Sequence, residues 1–225
     1  MIHGGDDRGL ELAAQIVHKG GMSRSALPLR IMLAVLALPL CGAAAAHGET
    51  AGAMPAGTYI LDNKHTSVIF RINHLGFSHF TGRFNKSEGR CDFVPSAPEN
   101  SGLDVTIDPR SIDTDDNDLD NALISENWFD TLKFPRATFH ATHIERTGDT
   151  SAKITGDFTL HGVTHTLTLD TVLVGAGQDP LTHSNVLGFS ATGSFKRSAY
   201  GIPNLEPMVG DEVTLQIDSE FDKEM

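Results

Sequence analysis

From Gly57 onward, apolar and polar side chains alternate with a period of two over most of the chain. Val68, Phe70 and Ile72 alternate with Ile69, Arg71 and Asn73, and Leu103, Val105 and Ile107 with Asp104, Thr106 and Asp108. Ile154, Phe158 and Leu160 share a face with Gly156, and His165, Leu167, Leu169 and Leu173 oppose Thr166, Thr168 and Asp170. Leu187, Phe189, Ala191 and Phe195 repeat the pattern, as do Val213, Leu215, Ile217 and Phe221. This period belongs to β-strands with one buried and one wet face. It favours antiparallel pairing, because parallel strands are usually apolar on both faces. The pattern predicts about eight strands, at 57–62, 65–74, 80–94, 102–109, 136–146, 152–161, 163–174 with 185–197, and 211–221. Gly148-Asp149, His161-Gly162 and Gly175–Pro180 supply turns between them. Short connections and no unpaired edges are best met by an all-β, antiparallel, eight-stranded barrel.

Two stretches depart from the alternation. Asp113–Ile124 is acidic and helix-like, with Leu119, Leu123 and Ile124 on one side, and Asp113 or Thr114 is the expected cap of this short helical insertion. His74–Phe80 reads as a loop crowded with Leu75, Phe77 and Phe80.

The first 56 residues have a different character. Arg24 and Arg30 precede the apolar run Ile31–Leu40, and Ala43–Ala46 follow it, the order of a cleaved secretory signal peptide over residues 22–46. The run is too short to span a bilayer, which takes about 20 residues. Asp6, Asp7 and Glu11 stand where a signal needs positive charge, so Met22 is the expected start and residues 1–21 are expected not to belong to the protein. Leu40 stands where a lipoprotein cleavage box wants a small residue before Cys41, which leaves lipid anchoring as the minor alternative. Residues 47–56 read as a loose leader and 57–225 as one domain, expected in the periplasm.

Removing residues 1–46 takes away four basic and three acidic side chains and leaves 13 Lys and Arg against 26 Asp and Glu, about −13 net. That sign excludes a nucleic-acid backbone binder. Cys91 is then the lone cysteine, so no internal disulfide forms and an ordinary core must stabilise the fold. Nine His remain, but His140 and His143 are three apart on a strand and face opposite ways. With no Cys-x-x-Cys, His-Glu-x-x-His or Gly-x-Ser-x-Gly, neither a metal site nor a catalytic residue is expected. The acidic run 113–120 lacks the Gly and terminal Glu of an EF-hand loop.

Phe accounts for 12 of the 15 aromatic residues, a composition that offers apolar contact without polar handles. An eight-stranded barrel is filled by side chains or holds one ligand. Ala137, Ala141, Gly156, Ala191 and Gly193 at inward positions could leave a tunnel, although on pattern alone a packed core is the more ordinary reading.

The ordered set of short motifs changes that balance. Thr58-Tyr59-Ile60-Leu61-Asp62, His65-Thr66-Ser67-Val68-Ile69-Phe70, His74-Leu75-Gly76-Phe77-Ser78 and Gly82-Arg83-Phe84 come first. Ser111-Ile112-Asp113-Thr114, Trp128-Phe129-Asp130, Phe134-Pro135, Gly156-Asp157-Phe158-Thr159-Leu160-His161-Gly162-Val163-Thr164, Gly188-Phe189-Ser190-Ala191, Tyr200-Gly201 and Gly210-Asp211-Glu212-Val213 follow. In this order they resemble the YceI-like family of exported polyisoprenoid-binding proteins across the whole domain. The resemblance implies a lipocalin-like extended barrel that holds a long isoprenoid, such as a ubiquinone tail or a polyprenyl phosphate, with no other cofactor. It implies a carrier rather than an enzyme, the alternative being an isoprenoid-modifying enzyme with a His and Arg site at the barrel mouth. A homodimer and transient membrane contact for lipid exchange are compatible with it. Phe70, Ile72, Phe80, Phe139, Phe158, Leu167, Phe189 and Phe195 would form the apolar tunnel, with Leu75, Phe77, Trp128 and Phe129 at its mouth or helical cap. His65, Arg71, His74 and Arg197 would meet the head group. Where the family often carries basic residues in the helix, this chain has Leu119, Ala122 and Ile124.

Overall fold

The computed structural model describes residues 53–224, so the signal segment 22–46 and the stretch 1–21 lie outside the described residues. The strands are β1 (Gly57–His74), β2 (Ser78–Phe84), β3 (Ser87–Phe93), β4 (Gly102–Ile107), β5 (Ile112–Asp113), β6 (Ala137–Arg146), β7 (Ser151–Leu160), β8 (Val163–Gln178), β9 (Asn185–Lys196) and β10 (Val209–Lys223), with one helix, α1 (Asn117–Ile124). All pairings are antiparallel, and β10 pairs with both β9 and β1. The order β1-β3-β4-β6-β7-β8-β9-β10 returns to β1, so eight strands close a barrel. β2 and β5 branch off the second half of β1.

The closed eight-stranded barrel agrees with the alternation, but several boundaries differ. The segments expected at 57–62 and 65–74 are one 18-residue strand. Its register against β10 slips between Asp62 and Ser67. The polar run there is a bulge, not a turn. The Asp62 carboxylate accepts from the Lys64 amide at 2.8 Å and hydrogen-bonds His65 at 2.7 Å, while Thr66 Oγ1 donates to the Asp62 carbonyl. Conversely, 80–94 breaks at Asn85-Lys86 into β2 and β3. The Asn63 side chain bridges the break, donating to the Asn85 carbonyl and accepting from the Ser87 amide and hydroxyl. The segment 163–174 with 185–197 is a hairpin of two long strands, and β8 runs through Gly175 to Gln178.

α1 starts later than expected. Asp116 caps it, accepting from the amides of Asp118 and Leu119. Thr114 instead donates through its amide and hydroxyl to Asp120. The stretch around His74–Phe80 is a tight hairpin turn, in which Leu75 and Gly76 both have positive φ. The leader also differs near its end: Met54 is buried, and the Tyr59 hydroxyl donates to the Pro55 carbonyl, because Tyr59 sits in the core beneath them.

Two apolar clusters fill part of the barrel. One holds Phe139, Phe158, Leu167, Leu169, Tyr200 and Leu215, and the other Met54, Tyr59, Leu61, Phe93, Leu187 and Phe221. Full burial of such a side chain contributes about 1.5–3 kcal/mol.

Candidate ligand-binding cavity

The inward faces of the strands enclose a cavity of about 1010 Å³. That is at the upper end of the roughly 300–1,000 Å³ common for small-molecule sites. The wall is almost wholly apolar, and Thr66, Ser87, Thr171 and Ser219 supply isolated hydroxyls. The cavity reaches both ends of the barrel. At one end it meets His74, Leu205 and Val209, and at the other Arg146, Asp149 and Ser151.

Strand alternation decides which side chains reach it. Phe70 and Ile72 on β1, Phe80 on β2, Phe139 on β6, Phe158 on β7, Leu167 on β8, and Phe189 and Phe195 on β9 all line the wall. Trp128 and Phe129, in the segment after α1, line it too, and Phe129 packs edge-on against Phe84 at 5.9 Å. Leu75 and Phe77 do not. The left-handed turn that joins β1 to β2 throws them outward, and Phe77 is 90% exposed.

The four head-group residues separate. Arg71 shares the outer face of β1 with Ile69, as the period requires, and is exposed. His65 is exposed in the bulge, and its hydrogen bond to Asp62 raises its pKa. His74 and Arg197 alone of the four meet the cavity. Arg197 is 4% exposed, and its Nε, Nη1 and Nη2 donate to the carbonyls of Gly210, Ile202 and Val209 at 2.8, 2.6 and 2.8 Å. It therefore clamps the loop ahead of β10 while presenting a cation beside the apolar wall.

The small residues act in two ways. Ala137 and Ala191 line the cavity. Gly156 and Gly193 do not open space, because neighbouring side chains lie across them. A Cβ on Gly156 would fall 2.7 Å from Phe139 Cζ, and one on Gly193 2.7 Å from Leu169 Cδ2. Wall residues outside the expected set include Val68, Phe84, Cys91, Leu103, Leu215 and Ile217. Most carry the same alternation signal, and only Phe84 and Cys91 lay in a segment whose break hid their facing. Burial pushes the Cys91 thiol up to about 12. Among the described residues, no three His, Cys, Asp or Glu side chains gather closely enough to hold a metal ion, and no helix is long and apolar enough to cross a membrane.

Comparison with known proteins fits this geometry. The YceI-like domain matches residues 59–221. The chain is 37% identical over 173 residues to Protein YceI of Escherichia coli, covering 76% of this chain and 90% of that protein. It is 35% identical over 149 residues to a UPF0312 protein of Vibrio cholerae, covering 65% and 78%. The crystal structure of the Campylobacter jejuni YceI protein superposes with a TM-score of 0.60 at 29% identity, covering 68% and 91%. A polyisoprenoid binding domain from Saccharophagus degradans shares the fold, with a TM-score of 0.56 at 15% identity over 76% of this chain and all of that one.

Proposed function

Since the chain belongs to the YceI-like family, we propose that it is an exported, periplasmic carrier that sequesters one long-chain isoprenoid lipid inside its barrel. The observation that carries this reading is the apolar cavity of about 1010 Å³ that runs to both ends of the barrel. A long chain uses such a shape, whereas a compact ligand would leave most of it empty. The polyisoprenoid binding described for the Saccharophagus neighbour supports the ligand class. In this reading the tail lies along Phe70, Phe139, Phe158 and Phe189, and the head group sits at the end where Arg197 and His74 face the cavity. A quinone ring or a polyprenyl phosphate would suit that end. Residues 22–46 act as the signal for export.

Each buried CH₂ contributes about 0.8 kcal/mol, so an isoprene unit contributes roughly 3 kcal/mol before ordering costs. Affinity should rise with tail length over the first few units and then level off. The test is a titration with quinones of one ring and increasing tail length, at low and high salt. Affinity that ignores the tail and collapses in salt would replace the tunnel with an electrostatic head-group site.

A further inference from the structure

We infer that the rim formed by the β1–β2 turn and the 203–208 loop docks on an uncharged lipid bilayer, and that the isoprenoid passes between bilayer and barrel there. The inference rests on the lipid-binding reading above and adds the partner surface and the end of the barrel that meets it.

Four large apolar side chains stand in solvent on this rim: Leu75 (45% exposed), Phe77 (90%), Leu205 (53%) and Met208 (53%). They come from two turns that touch, since the Leu75 amide donates to the Met208 carbonyl at 2.8 Å. The Phe77 amide donates back to the His74 carbonyl at 3.1 Å, so Phe77 is held on the same turn. The rim is continuous with the cavity wall, because Leu205, Val209 and His74 also line the cavity. An apolar chain leaving the barrel here would meet apolar side chains rather than water.

The backbone is an independent sign. Leu75 and Leu205 are both left-handed, with φ of 56° and 62°, a conformation that bulky residues seldom adopt. The fold thus keeps two leucines in disfavoured backbone while leaving their side chains wet. Both side chains stand half-exposed at the surface, where insertion into an apolar phase would use them.

Charge selects the kind of bilayer. The 203–208 loop carries Glu206 as its one charged residue, and the β1–β2 turn has only His74 and His79 close by. Neither of these two turns contains a Lys or Arg for anionic head groups, and the acidic domain would be repelled by them. The partner is therefore an uncharged surface entered by side chains. The opposite end also exposes Val174 (71%) and Leu181 (88%), but there the cavity is bordered by Arg146, Asp149, Thr150 and Ser151, charged and polar groups that would have to be dehydrated on contact.

Trp128 is the one tryptophan of the chain and lies on the cavity wall, so quinone uptake reads out as quenching of its fluorescence. Long-tailed ubiquinone is offered to the protein from phosphatidylcholine vesicles and, separately, from detergent. In the Phe77→Ser/Met208→Ser double variant, uptake from vesicles should slow by at least about tenfold, because two apolar side chains no longer insert. Its affinity for quinone in detergent should not change. Val172→Ser/Leu181→Ser, at the far end of β8 and beyond it, should alter neither. The inference is overturned if the rim variant draws quinone from vesicles at the unaltered rate, if the far-end variant slows uptake instead, or if phosphatidylglycerol speeds it. It is also overturned if the rim variant loses only self-association of the chain. No quenching by the unaltered protein even in detergent would instead remove the lipid-binding reading itself, and the docking surface with it.

Discussion

The guanidinium carbon of Arg197 lies 5.9 Å from the centroid of the Trp128 ring, while its nitrogens donate to three main-chain carbonyls. One buried cation thus links three things: the end of β9, the loop that leads into β10, and the aromatic residue that follows α1. Asn204 adds a second tie across the same gap, donating from its side chain to the Asn127 carbonyl.

Arg197→Met should therefore be a stability variant first. Three carbonyls, one buried and two part-buried, would lose a charged donor, which costs about 3 kcal/mol or more. Arg197→Lys should recover little of it, because a single ammonium cannot reproduce the fork that spans Gly210, Ile202 and Val209. Urea unfolding followed by Trp128 fluorescence measures both. A loss under about 1 kcal/mol for the Met variant would mean that water replaces the guanidinium and that the clamp is not needed.

The alternation of residues such as Val68, Phe70 and Ile72 is enough to assign the barrel and the facing of its strands, because side-chain period two is a local consequence of strand geometry. What the pattern could not carry was non-local. Asn63-Lys64-His65 looks like a turn, and only the pairing of β1 with β10 on both sides of it makes it a bulge. Asn85-Lys86 carries no breaker, yet the chain divides there because β2 and β3 pair with different halves of β1. Arg71 and Arg197 are equally basic in sequence, but one lies on the outer face of a strand and the other in a turn packed against Trp128. Leu75 and Phe77 are apolar, so the sequence predicts that they line the mouth. The left-handed turn that puts them outside is a feature of Leu75 φ, which composition does not reveal.

A second expectation concerns pH. His65 hydrogen-bonds Asp62 at 2.7 Å and His140 hydrogen-bonds Asp104 at 2.6 Å, and these contacts raise both histidines above their ordinary 6.5. The folded state therefore holds these protons more tightly than the unfolded chain. Their contribution is full below about pH 6.5 and is lost as pH rises through the raised values. Asp62 works at the other end. Burial acts to raise its pKa, but hydrogen bonds from the Lys64 amide and His65 outweigh it and lower it below 3.8. Its contribution is lost only as pH falls through that lowered value. Tm should thus decline modestly from mildly acidic to mildly alkaline buffer, the effect weakening in salt because both histidines are exposed. His65→Gln/His140→Gln should flatten the decline, and an unchanged slope in that variant would refute the assignment.

Cys91 gives a probe of the cavity in solution. It is 7% exposed, lines the wall, and has its thiol pushed up to about 12, chiefly by burial with Asp92 adding to it. At pH 8 its thiolate fraction is on the order of one in ten thousand, so alkylation by iodoacetamide should be at least about a hundredfold slower than in denatured protein. A bound long-tailed quinone should slow it further by filling the space the reagent must cross. Alkylation as fast as in the denatured chain would show that the barrel opens readily around β3.

Gly156 and Ala191 distinguish packed core from ligand wall most directly. Both are small, inward and buried, and both sit among phenylalanines. At Gly156 the space is already taken: a Cβ would fall 2.7 Å from Phe139 Cζ and closer still to the His140 carbonyl oxygen. The carbonyl belongs to a paired strand and cannot yield, so Gly156→Ala should destabilise the fold by about 1–3 kcal/mol, as overpacking does. Ala191 instead borders the cavity. In Ala191→Leu the added atoms enter open space and find apolar neighbours, so stability should stay within about 1 kcal/mol of the parent. Its cost should appear in binding. A long-tailed quinone loses the volume its tail needs, while a short-tailed one that stays near Arg197 keeps its affinity. Urea unfolding and Trp128 quenching on the same two variants separate these effects. If Ala191→Leu destabilises the barrel as much as Gly156→Ala does and leaves the tail-length dependence unchanged, the space beside Ala191 is filled in solution and the tail does not run past it.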